Sequence, residues 1–125
     1  MRKFTKTILI SLMLTLTINT NAQTNEKYDW NKLINAIIQV ESGGNPNARN
    51  PKHDCAGILQ ITPGLVHDCN KILQKQKSEK RYTLKDRYNP EKSKEMFVIY
   101  QEQYNPSHNI EKAIRMWNGG PRYSN

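Results

Sequence analysis

Residues Trp30 to Pro46, WNKLINAIIQVESGGNP, decide how the rest of the chain is read. Trp30, Leu33, Ile34, Ile37 and Ile38 recur at the spacing of one apolar face of an α-helix. One further step along that face stands Glu41, and Ser42-Gly43-Gly44-Asn45-Pro46 ends the helix directly after it. An acid that prolongs a buried stripe is driven towards desolvation, which disfavours its charged form and raises its pKa. Such a carboxyl is a proton donor near neutral pH. On spacing alone the default is simpler: Glu41 turns outward at the last turn.

Upstream of this stretch, Gln23 to Tyr28 is a polar lead-in and Asp29 is placed to cap the helix. Downstream, Asn45 to Asp54 is rich in Asn and Pro and reads as an extended loop. Cys55 to Ile61, CAGILQI, fits a short strand or a tight turn leading into a helix. Thr62-Pro63 and Asn89-Pro90 each pair a capping side chain with a proline at the first helical position. Behind the first, Leu65, Cys69, Ile72 and Leu73 form an apolar face; behind the second, Ser93, Met96, Phe97, Tyr100 and Tyr104 do so. Lys71 to Lys85 lacks apolar periodicity and reads as an exposed loop with at most a short helical turn. After Asn105-Pro106, a last helix carries Ile110, Ala113, Ile114 and Trp117 inward and stops at Asn118-Gly119-Gly120-Pro121. Four helices with short connections and almost no strand predict a small, mainly α domain.

The 125 residues leave room for one domain over 23–125, because residues 1–22 read as a secretory signal peptide. Arg2, Lys3 and Lys6 precede an apolar run from Ile8 to Ile18, and Thr20-Asn21-Ala22 offers a cleavage site. The run is too short to span a membrane, and neither cysteine lies near the cleavage point to carry a lipid anchor. The expected product is exported, periplasmic or secreted. Removing the leader takes the formal charge from +8 to +5. That balance suits an anionic partner such as nucleic acid, a membrane surface or a cell-wall polymer, and export makes nucleic acid the least fitting.

His53-Asp54-Cys55 and His67-Asp68-Cys69 repeat one tripeptide. A metal site, two free thiols and a disulfide are the alternatives. In an exported chain the Cys55–Cys69 disulfide is the expectation, contributing about 3 kcal/mol for a loop of this length. No serine or cysteine triad is supported. A carboxylate partner for Glu41 would come from Asp54, Asp68 or Asp86, none in a distinctive setting. Trp30, Phe97, Tyr100, Tyr104 and Trp117 continue helix faces as core residues. Trp117, beside the terminating glycines, is the aromatic most apt to edge a groove where sugar rings stack.

Three segments, Glu41-Ser42-Gly43-Gly44-Asn45-Pro46, Gly57-Ile58-Leu59-Gln60-Ile61-Thr62-Pro63 and Met116-Trp117-Asn118-Gly119-Gly120, occur in order. As an ordered set they resemble the ES, GLMQ and AYN motifs of the soluble-lytic-transglycosylase-like family, relatives of goose-type lysozyme. The resemblance implies a small lysozyme-like helical domain that cleaves peptidoglycan between N-acetylmuramic acid and N-acetylglucosamine, leaving 1,6-anhydro ends. It implies that Glu41 is the single catalytic acid and that no cofactor takes part. Ser42, Gln60 and Asn118 match polar motif positions, and Tyr100 matches a tyrosine that helps form the groove wall. A secretion or conjugation apparatus is one setting for such an enzyme. A hydrolytic muramidase and a peptidoglycan-binding module are the alternatives. The chain departs from the family pattern in places. Gly44 stands where many relatives have an aromatic residue, and Asn50 near a position often held by Ser. Phe97 stands where relatives often have Gly, which would narrow the groove. The chain stops at Asn125, before the further tyrosine-bearing helix of many relatives, and Tyr123 is not assigned its role. A compact variant and an incomplete groove wall are the two expectations that follow.

Overall fold

The computed structural model describes residues 26–120. The expected leader, its cleavage point and Tyr123 lie outside the described residues. Two helices start where a capping side chain meets a proline. Thr62 Oγ1 accepts the Leu65 N–H at 3.2 Å to open α2, Pro63–Lys75, and Asn89 Oδ1 accepts the Lys92 N–H at 3.0 Å to open α3, Pro90–Tyr104. Ahead of them lies α1, Asn31–Glu41, whose first N–H is accepted by Asp29 Oδ1 at 2.9 Å. A short antiparallel hairpin follows, β1 Arg49–Asn50 against β2 Cys55–Ala56, with Arg49 opposite Ala56 and Asn50 opposite Cys55. A 3-10 turn, Leu84–Tyr88, separates α2 from α3, and α4, Ile110–Gly119, comes last. The domain is mainly α, as expected.

The core is built where these faces meet. Ile34 and Ile38 of α1, Leu59 and Ile61 of the loop, Val66 and Leu73 of α2, Met96 and Tyr100 of α3, and Ala113 and Met116 of α4 are all buried in it. Phe97 is fully buried at its centre, 5.8 Å from the Trp30 ring and 4.8 Å from the Trp117 ring, centroid to centroid. It therefore fills the core and does not narrow a groove.

Ile110 and Ile114, expected to point inward, are each 43% exposed, because α4 presents Ala113 and Met116 to the core. The two isoleucines lie at the rim, Ile110 beside Leu33 and Ala36 of α1 and Ile114 beside Leu33, Ala36 and Val40. The stretch Lys71 to Lys85 is not wholly an exposed loop, since α2 runs through Lys75 and Tyr82 is buried. The Asn70 side chain explains Tyr82: it accepts the Tyr82 N–H at 2.8 Å and donates to the Tyr82 carbonyl at 2.9 Å. The Tyr82 hydroxyl in turn donates to Glu95 at 2.6 Å. Finally, the Cys55–Cys69 disulfide is absent and both thiols are free. Cys69 points into the core, where its thiol donates to the Met96 carbonyl at 3.4 Å, while Cys55 sits half-buried in the hairpin.

Candidate active site

Glu41 is the last residue of α1 and is half-buried. Burial raises its carboxyl pKa above the ordinary value of 4.5. The helix cannot continue past it. Ser42 and Gly43 both donate their N–H groups back to the Ile38 carbonyl at 3.0 Å, and Gly43 (φ 60°) and Gly44 (φ 86°) turn the chain through the left-handed region. Ser42 Oγ donates to the Ile58 carbonyl at 2.8 Å and accepts the Gly44 N–H at 3.1 Å. Ser42 therefore ties the end of the acid's helix to the loop that follows the hairpin. Its hydroxyl proton is spent on protein.

A cleft of about 410 Å³ opens beside the acid. Glu41, Trp117 and Asn118 contribute from the two helix ends, Asn50, His53 and Cys55 from the hairpin, and Gln60 and Thr62 from the loop into α2. The three motif segments thus converge on one cavity, although they lie far apart in sequence. Trp117 is fixed there by its indole N–H, which donates to the Leu59 carbonyl at 3.1 Å, and by Phe97 behind it. Tyr100 is buried and does not line the cleft. Its ring meets Trp117 edge-on at 6.4 Å, and burial pushes its phenol pKa up. Asn118 is exposed at the cleft mouth.

Gln60 has an unusual backbone for a residue with a side chain, φ 52°. Its amide nitrogen donates to the Ala48 carbonyl at 3.1 Å and to the Gly57 carbonyl at 2.9 Å. Two carbonyl acceptors fix which end of the amide is nitrogen, so the oxygen is the end left for a ligand. Asp54, at the other end of the loop, also has a left-handed backbone, φ 48°. Each such residue stores on the order of 1 kcal/mol of strain, which persists only where surrounding contacts over-determine it.

Arg87 supplies those contacts, and nothing in the local sequence marks it. It is 5% exposed, and its Nη1 donates to the Asp54 carbonyl at 2.8 Å and the Ile61 carbonyl at 3.2 Å. Nη1 also lies 3.4 Å from Asp54 Oδ1, and Nε donates to the Leu84 carbonyl at 2.9 Å. The Arg87 carbonyl approaches the loop so closely that a Cβ on Gly57 (φ 82°) would come within 1.8 Å of it. Asn50, His53 and Thr62 are further cleft residues that sequence reasoning did not select; only nearness to the loop motif could have suggested them.

Of the possible carboxylate partners, Asp54 is paired with Arg87. Asp86 accepts the Thr83 N–H at 2.8 Å and pairs with Lys92 at 3.0 Å. Those contacts, the backbone bond first, hold its pKa low. Glu41 is the one carboxylate among the described cleft residues. No group of three or more metal-ligating side chains converges among the described residues, and no described helix is long and apolar enough to cross a membrane.

In comparison with known protein families, the family model described as the transglycosylase SLT domain matches residues 18–123. No curated protein and no solved structure matches the chain.

Proposed function

The chain belongs to the transglycosylase SLT domain family, and from that footing we propose that it is a peptidoglycan lytic transglycosylase with Glu41 as its single acid. Protonated Glu41 gives its proton to the glycosidic oxygen between N-acetylmuramic acid and N-acetylglucosamine, and the bond to the muramic C1 breaks. The carboxylate left behind draws the proton from the muramic C6 hydroxyl, whose oxygen closes onto C1. The product carries a 1,6-anhydro ring and no water is consumed. This chemistry is outside the two-carboxylate scheme of most glycosidases.

One observation carries the reading: a lone, half-buried carboxyl with a raised pKa in a cleft otherwise lined mainly by amide, hydroxyl and aromatic groups. The Trp117 edge suits the apolar face of a sugar ring, and the Gln60 oxygen and Asn118 amide suit its hydroxyl and acetamido groups. Export by the leader would bring the domain to its polymer, and a secretion or conjugation apparatus that must open the wall locally is a fitting setting.

Glu41→Gln tests the reading, since it removes the proton while keeping size and hydrogen bonding. Purified peptidoglycan incubated with the natural chain should release anhydro-muropeptides, identified by mass, and the variant should release at least 100-fold less. Reducing ends formed with uptake of labelled water would make the protein a hydrolase. Equal sedimentation with peptidoglycan and no release by either form would make it a binding module.

A further inference from the structure

Resting on that reading, the structure assigns Arg87 the part of a positioning residue that sets Gln60 in the cleft from behind, without touching substrate. The loop from Asp54 to Ile61 carries two cleft residues, Cys55 and Gln60, and left-handed non-glycine backbone at Asp54 and Gln60. A single guanidinium nitrogen closes that loop, because Arg87 Nη1 bonds both the Asp54 and the Ile61 carbonyls. The Ile61 carbonyl belongs to the residue directly after Gln60, and Ile61 also pairs with Ala56 through both backbone groups, at 2.9 and 3.1 Å. Pulling on Ile61 therefore fixes the backbone on one side of Gln60. On the other side the Arg87 backbone lies against Gly57 so closely that no Cβ fits, and the Gly57 carbonyl is one of the two acceptors that orient the Gln60 amide. Arg87 is itself held: Ser93 Oγ donates to its carbonyl at 2.9 Å, and Nε is bound to Leu84. The guanidinium is suited to this because it is planar and permanently charged and presents several donors in fixed directions. A lysine ammonium at the same place would lose the fork.

The test is a double-mutant cycle with Arg87→Lys, Gln60→Ala and the pair, read as kcat/KM for anhydro-muropeptide release. Each single change should lower kcat/KM about tenfold or more, and the pair should be within about twofold of Gln60→Ala alone, since Arg87 acts through Gln60. Losses that multiply, or an Arg87→Lys protein as active as the natural chain, would overturn the assignment. If Arg87→Lys does not fold, Ser93→Ala replaces it in the cycle, loosening the Arg87 backbone alone. Should the natural chain release no product, the proposed function fails by itself. The Gln60 side-chain amide resonances then still decide this inference: they shift in the Arg87 or Ser93 variant, and unmoved resonances overturn it.

Discussion

At the scale of the residue, Glu41 links burial to stability with a definite sign. Its folded pKa is raised by burial, so between the ordinary value of 4.5 and the raised value the folded state holds more proton than the unfolded state. Stability therefore falls as pH rises through that window, and at neutral pH the ionised carboxyl opposes folding. Glu41→Gln should melt higher than the natural chain at pH 7 and match it below about pH 4; an unchanged or lower melting temperature at pH 7 would show that burial does not strain the acid. If Glu41 is the acid of the proposed reaction, activity should fall along its alkaline limb at a pH above the usual carboxylate range, because the proposed first step needs it protonated. The apolar stripe drew attention to Glu41 but left an outward turn as the default; the ordered motifs pointed to a groove, and the fold places the acid half-buried at a cleft. The parts played by Ser42 and Tyr100 were not legible in the sequence. The motif names a serine next to the acid, but only the fold shows its hydroxyl committed to the Ile58 carbonyl, and helix spacing cannot tell a groove wall from the core behind it.

At the scale of the element, helix starts were the most readable feature, since a cap and a proline act within one turn. Removing the Thr62 cap by Thr62→Ala should cost about 1 kcal/mol, or roughly 4–8 °C in melting temperature for a domain of this size, measured by thermal denaturation. Gly57→Ala belongs to another class. Its Cβ would meet the Arg87 carbonyl at 1.8 Å and its backbone is left-handed, so a soluble folded product is not expected. The elements that escaped the sequence depend on distant partners. Tyr82 is drawn into the core by Asn70 and Glu95, and the rotation of α4 that exposes Ile110 and Ile114 is the one that buries Ala113 and Met116. The 3-10 turn depends on a short reciprocal cap, Thr83 with Asp86, inside a run too polar to show periodicity.

At the scale of the whole molecule, three short motifs that share no contact in sequence meet at one cavity, while the helices between them serve mainly to bring them there. An apolar strip accompanies the cavity, with Val40 86% exposed and Ile114 beside it, and the cleft passes from polar to apolar lining at Glu41. The domain holds together without a covalent staple, so a reducing agent should leave the melting temperature unchanged; a drop would restore the Cys55–Cys69 bridge. Two thiols in such different surroundings also make the chain its own reporter. Burial pushes Cys69 up to about 12, which silences it toward alkylating reagents, whereas Cys55 lines the cleft. Its pKa is raised by desolvation first, then by the charges of Glu41 and Asp54. A maleimide or iodoacetamide fluorophore at mildly alkaline pH should therefore tag one position only. Neutralising Glu41 should quicken the tagging, and any molecule that fills the cavity should slow it, which turns occupancy into a stopwatch reading with no engineered label.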